Sequence, residues 1–202
     1  MLLFDTDANH PSLRSFRTTH QAPFEGLDTL HLSGSGQFEE ADFLRLLKKL
    51  AHPKIWLVDL RMEPHGFHEG RAVRWMGPMT ENIKSEEDLA KEYGVPYFAF
   101  PVLDHFPPSP EIAAEMIAFL NQRPPDVWLH AHCKGGRGRT TTFFAMADML
   151  ANHARWNFDE IVTRQHLLGG SNLALKYEAG HPKLESSIQR LGFLKSLYQG
   201  LS

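Results

Sequence analysis

Apolar residues recur at two spacings along this chain, and the two spacings alternate. Over residues 39–50 the apolar positions Phe43, Leu46, Leu47 and Leu50 fall on one face at helical spacing, which predicts an amphipathic helix. Residues 27–32 predict a strand ahead of it. Ile55, Trp56, Leu57 and Val58 form a short continuous apolar run of the buried-strand kind, running on into Asp59, Leu60 and Arg61. Residues 62–80 hold His, Gly and Pro without a period and predict a loop. A short helix follows over residues 85–93, with Ser85 as its N-cap and Gly94 past its end.

Residues 97–103 predict a strand. Pro101 cannot donate to a ladder and places that strand at an edge or a bend. Ser109-Pro110-Glu111 opens a helix in which Ile112, Met116, Phe119 and Leu120 recur at helical spacing, and Pro124-Pro125 ends the connection after it. Residues 127–131 predict a strand, a Gly-rich turn follows, and residues 140–153 predict a helix. Asn157 and Glu160 form a capping pair for a further helix, which Gly169-Gly170 stops. Residues 184–201 predict a last amphipathic helix. This order implies an α/β fold, a single domain with a largely parallel central sheet flanked by helices on both faces. Residues 1–26 stand before it as an N-terminal extension.

Composition narrows the chemistry. The 202 residues carry a formal net charge of -3, which argues against a nucleic-acid binder. One cysteine excludes an intrachain disulfide and a multi-cysteine zinc site. No apolar run approaches the roughly 18 residues of a membrane helix. The N-terminus turns acidic at Asp5 and lacks the pattern of a signal peptide; this favours the cytoplasm, and a removed leader would place the protein in the periplasm or outside. The sequence is silent on oligomeric state. Charge is uneven: Arg14, Arg17, Arg61, Arg71 and Arg74 lie in loop-like stretches, and Lys134, Arg137 and Arg139 crowd into six residues. One concentrated cationic spot suits a small, highly anionic ligand.

That spot lies in His132-Cys133-Lys134-Gly135-Gly136-Arg137-Gly138-Arg139-Thr140, after a strand and before a helix. Its three glycines let backbone N–H groups turn inward as an anion nest, and the helix end adds its dipole. The same surroundings lower the pKa of a thiol from near 8.5 to roughly 3.5–7.5, so Cys133 is expected as a nucleophilic thiolate. Arg139 can return over the loop and hold two phosphate oxygens. Thr140 can donate its hydroxyl to the sulfur. His132 is expected to brace the loop by bonding to backbone. The P-loop of nucleotide hydrolases, Gly-x-x-x-x-Gly-Lys-Ser/Thr, is absent. Asp104, after the preceding strand, can reach the same rim as general acid and then as base for water, with Pro107 and Pro108 stiffening its flap. His105 is expected to hold that flap or touch substrate. His130 with His132, and His65 with His68, would be the starting point of a metal site; among 12 histidines chance pairs are expected, and no metal or cofactor is assigned.

His-Cys-x-x-Gly-x-Gly-Arg-Thr together with Asp104 resembles the cysteine-dependent phosphatases of the protein-tyrosine-phosphatase superfamily. Ser15-Phe16-Arg17-Thr18, Val58-Asp59-Leu60-Arg61-x-Glu63-x-His65-Gly66-Phe67 with Gly70, and Asp104-His105 followed by prolines are similar to its phytase-like branch, which hydrolyses inositol polyphosphates. The resemblance implies a phosphatase domain over residues 27–202 and a phosphocysteine intermediate. It implies metal-independent, stepwise removal of phosphates, and a pocket rimmed by Arg17, from the extension, His65 and Lys183. Members of the branch are often longer. Lys134 and Arg137 make the loop more cationic than in many of them and closer to that of a phosphoinositide lipid phosphatase, and such cations favour substrates with several phosphates. The alternative substrate classes are phosphoinositide lipids and phosphoproteins. A purely phosphate-binding module would not need Cys133, Arg139, Thr140 and Asp104 together.

Overall fold

The computed structural model describes residues 1–78 and 82–201. In chain order its elements are β1 (Leu2–Phe4), β2 (Arg17–Thr18), β3 (Leu32–Ser35), α1 (Glu40–Leu50), β4 (Ile55–Arg61), β5 (His65–His68) and β6 (Arg71–Trp75). There follow α2 (Glu86–Glu92), β7 (Tyr97–Val102), α3 (Pro110–Gln122), β8 (Trp128–His132), α4 (Gly138–Asn152), α5 (Phe158–Leu167) and α6 (Leu184–Gly200).

The main sheet has the order β2-β3-β8-β4-β7. Its four longer strands are parallel, so their carboxyl ends share one edge, and only β2 runs antiparallel. Each strand turns alternate residues to opposite faces. In β4, Val58 and Leu60 enter a core with Leu129, Ala131, Met116, Phe143, Ile161 and Leu194, which is covered by α3 to α6. Leu57 faces the other way, into a core with Phe38, Phe43, Leu46, Phe67 and Leu89, which is covered by α1 and α2. In β8 the same alternation gives Ala131 and Cys133 to the first side. α4 is buried almost all round, as a helix at the centre of the fold must be. Pro101 sits on the edge strand β7, as its missing N–H requires.

Two predicted elements differ. Residues 27–32 hold a 3-10 turn (Asp28–Leu30), and the strand begins only at Leu32. His31, in left-handed backbone, separates the two. Residues 62–80 contain the hairpin β5–β6, which joins β1 in a second, antiparallel sheet of order β1-β6-β5. Glu69 and Gly70 turn it with φ of 50° and 78°, the two positive values that a tight hairpin turn needs. The strands are too short for a period to show, and the turn uses Glu where Asn or Gly is customary. Thr80 lies outside the described residues.

Asp148 of α4 ties this core to α5. It accepts hydrogen bonds from Arg164 Nε at 2.7 Å and Gln165 Nε2 at 2.7 Å, pairs also with Arg164 Nη2, and is itself fully buried. Removing one side of a buried pair strands the other charge, so Asp148→Ala should cost about 3–5 kcal/mol of stability in urea denaturation. A loss below about 1 kcal/mol would mean that the pair is not what holds these helices together.

Candidate active site

The turn between β8 and α4 lies at the carboxyl edge of the sheet, where open α/β sheets bind ligands. Gly136 has φ of 66° and packs on Ser35 and Gly36 so closely that a Cβ would overlap their backbone. Cys133 sits at the base of the turn, 3% exposed. Burial alone would push its thiol up. The charge of Arg139, the Thr140 hydroxyl at 3.2 Å from Sγ and the N–H groups of Thr140 and Gly135 outweigh burial and bring it below the ordinary range. The geometry therefore favours a thiolate.

Arg139, at the start of α4, is buried with its guanidinium against Glu63 and the end of β7. Its Nη1 donates to Glu63 Oε2 at 2.7 Å and to Val102 O at 3.1 Å, and its Nη2 donates to Glu63 Oε1 at 3.0 Å. Nε is buried with no protein acceptor, the kind of donor that a phosphoryl oxygen satisfies. Burial raises the Glu63 carboxyl on its own, but Arg139 and Arg61 hold it down to about 2. Asp104 follows β7 and is half-exposed, its Oδ1 at 3.3 Å from Arg139 Nη2. A general acid must be able to exchange protons with water, and this position allows it. His105, next to it, has φ of 71°, and its carbonyl accepts from Arg190 Nη2 on α6.

Asp104, His105, Cys133, Arg137, Lys183 and Arg190 line one cleft of about 520 Å³, with Gly135 and Gly138 on its floor. Four of the six are cationic or can become so. A larger hollow of about 890 Å³ between α5 and α6 is mainly apolar and is not lined by Cys133.

Four expectations need correction. Arg17 is not on the rim: it is 5% exposed beneath the loop, donating to Gly136 O at 2.5 Å and Thr141 Oγ1 at 3.1 Å, with its guanidinium over the Phe144 ring. His65 is not on the rim either. Its Nε2 is 2.9 Å from Asp59 Oδ2, among buried carboxylates. His132 braces the loop through a carboxylate and not through backbone, with Nε2 at 2.9 Å from Glu86 Oε2. β8 turns His132 away from the α4 side, towards α2, where Glu86 waits. Lys134 does not line the cleft, and its carbonyl accepts from Arg14 Nη2 at 2.6 Å and Gln37 N at 3.1 Å.

The paired histidines have protein partners. Burial holds the His130 ring far below its usual pKa, and the ring lies between Ser33 and Ser35 hydroxyls. Asp59, Glu86 and His132 have ligand atoms within 4.8 Å of one another, but the charges of both carboxylates are already met by His65 and His132. Arg190 is a residue that sequence reasoning missed. Ser186, Arg190 and Leu194 are buried at successive i, i+4 positions of α6, so an arginine on the apolar stripe of that helix was the available signal.

A family model for PTP-like phytase, described by inositol hexakisphosphate, matches residues 72–151. The fold superposes on the tandemly repeated PTP-like phytase of Mitsuokella multacida with a TM-score of 0.87 and 26% identity, over 100% of this chain and 46% of that one. It superposes on a PTP-like phytase of Bdellovibrio bacteriovorus with a TM-score of 0.84 and 25% identity, over 98% of this chain and 87% of that one. In sequence and in fold the chain is similar to PTP-like phytases. It is also 35% identical over 126 residues to the effector protein hopD2 of Pseudomonas syringae pv. tomato, a match to 58% of this chain. The chain thus spans 25% of the length of that curated relative and just under half of the Mitsuokella protein.

One consequence concerns pH. Burial pushes the His65 imidazole down, but Glu86 and Asp59 outweigh it and hold the ring protonated up to about 10. A pKa raised by folding stabilises fully below the unfolded value, near 6.5, and that contribution drains away as pH rises from 6.5 to 10. Denaturant midpoints measured across that window should fall, and His65→Gln should flatten the fall. An unchanged slope in the variant would show that His65 is neutral in the fold.

Proposed function

We propose that this protein hydrolyses phosphate monoesters of inositol polyphosphates through a phosphocysteine intermediate. One observation carries the reading: a thiol held below its ordinary pKa shares a single cleft with Asp104 and with the cations Arg137, Lys183 and Arg190. In the first step Cys133 Sγ forms a bond to phosphorus while the bond to the inositol oxygen breaks, and Asp104 gives that oxygen its proton. Arg139 follows the non-bridging oxygens through the transition state. In the second step water attacks phosphorus, Asp104 takes its proton, and the sulfur leaves as a thiolate that the Thr140 hydroxyl stabilises. No step calls for a metal or a cofactor.

The substrate class follows from charge. One phosphate fills the nest, and the remaining cations need further anionic groups to answer them. A solved complex of the Mitsuokella enzyme, described as a PTP-like myo-inositol phosphatase, holds myo-inositol-(1,3,4,5)-tetrakisphosphate, which supports a polyanionic inositol ligand here. A phosphoinositide lipid is the second reading, favoured by one feature. An apolar hollow of about 460 Å³ shares Leu173, Leu175, Tyr177 and Ser187 with the cleft and could take a hydrophobic tail.

Phosphate release from inositol hexakisphosphate should persist in EDTA and vanish in Cys133→Ser. In Asp104→Asn it should fall about 10²–10⁴-fold. Full activity of Cys133→Ser would overturn the mechanism. Rates on soluble inositol phosphates, short-chain phosphoinositides and phosphotyrosine peptides, measured side by side, should rank the first highest; a higher rate on the lipid or the peptide would replace the substrate assignment.

A further inference from the structure

The N-terminal strand leads into a residue whose position the catalytic mechanism leaves unexplained. Asp5, directly after β1, is anchored by its own N–H to Ala72 O at 2.9 Å, and its side chain is wholly buried. A buried carboxylate needs partners, and Asp5 has two guanidinium groups. Oδ2 lies 2.8 Å from Arg61 Nη1, and Oδ1 accepts from Arg74 Nη1.

Arg61 is a bridge. Its Nε donates to Glu63 Oε1 at 2.9 Å, and Glu63 in turn grips both terminal nitrogens of Arg139. The order from the N-terminal strand to the phosphate loop is therefore carboxylate, guanidinium, carboxylate, guanidinium. A second line leaves the same residue. The Asp5 carbonyl accepts from Arg14 Nη1 at 3.1 Å, and Arg14 Nη2 donates to Lys134 O at 2.6 Å, one residue after the nucleophile. Asp5 thus reaches the loop at its beginning through backbone and at its end through charge.

We infer that Asp5 is a positioning residue for catalysis, setting the orientation of Arg139 by sharing Arg61 with Glu63. Among the described residues Arg61 lies within ion-pair distance of Asp5 and Glu63 only. Without the Asp5 charge, Glu63 is the one carboxylate left to Arg61 at close range, beside the neutral Gln37 Oε1 that accepts from Nη1 at 2.6 Å. The same carboxylate oxygen that holds Arg139 Nη2 is then drawn towards Arg61. A guanidinium that misses the equatorial phosphate oxygens by an ångström loses transition-state binding, so the effect falls on kcat more than on KM. The inference rests on the phosphate-loop reading above and not on which phosphate ester is the substrate.

The test is Asp5→Asn, which keeps shape and the carbonyl line while removing the charge. Two readouts are taken on the full chain: kinetics with p-nitrophenyl phosphate, and calorimetric binding of tungstate, which reads the loop without turnover. Asp5→Asn should lose about 10–100-fold in kcat, with KM within about threefold, and bind tungstate about 10-fold more weakly. Arg74→Gln, which cuts the branch that does not lead to the loop, should leave both readouts near wild type. Combined with Glu63→Gln, Asp5→Asn should cost nothing further, because both act through one carboxylate. Losses that multiply in the double variant, or a folded Asp5→Asn with wild-type kcat and tungstate affinity, would overturn the inference. Where Asp5→Asn does not fold, Arg61→Lys serves: it keeps the charge but cannot span both carboxylates. It should show the same kcat loss, and unchanged kcat would count against the relay. A wild-type protein that turns over no phosphate ester refutes the proposed function, while the tungstate affinities still decide the relay.

Discussion

A thiol whose pKa is held down although it is almost sealed from water has to be compensated from inside the protein. Cys133 is compensated by the Thr140 hydroxyl, by inward N–H groups and by the Arg139 guanidinium. That arginine is itself buried, so its charge needs an answer, which Glu63 supplies. Glu63 sits between two cations, and Arg61 between two carboxylates. One unfavourable charge at the base of the loop thus propagates outward as an alternating series and ends at the N-terminal strand. Most of the buried ionic chemistry at the carboxyl edge of the sheet makes sense as a consequence of that sulfur.

The loop itself is held from below as much as from its ends. Gly136 rests on the backbone of Ser35 and Gly36, and Arg17 donates to the Gly136 carbonyl from beneath. On the other face of β8, His132 and His65 neutralise Glu86 and Asp59, which fixes the residue before the nucleophile without using backbone partners. A rigid nest of this kind exchanges water for preorganised donors, and that is where electrostatic catalysis gains most. The cleft above adds Arg137, Lys183 and Arg190, so the same edge that holds the thiol also presents further cations.

What could be read from the chain was local chemistry. Ser85, Ser109 and Asn157 cap their helices as their side chains dictate, and the capping box of Asn157 and Glu160 forms as its spacing implies. The run from His132 to Thr140 is likewise local: a short turn with the nucleophile at one end and its arginine six residues on. What could not be read depends on burial. Arg17 and His65 are placed at the pocket by the family resemblance alone, and nothing in a sequence distinguishes a guanidinium over a loop from one beneath it. The β5–β6 hairpin escaped because strands of 4 and 5 residues carry no measurable period. Arg190 escaped because α6 reads as amphipathic, and an arginine on the buried stripe is visible only once the stripe is placed.

The central claim is that Cys133 is ionised where a free cysteine is not. Alkylation of this single thiol by iodoacetamide, followed across pH with and without tungstate, tests it directly. The account predicts an inflection clearly below about 8.5, the value of an unperturbed cysteine, and protection by the oxyanion. An inflection at or above that value, with tungstate giving no protection, would contradict it.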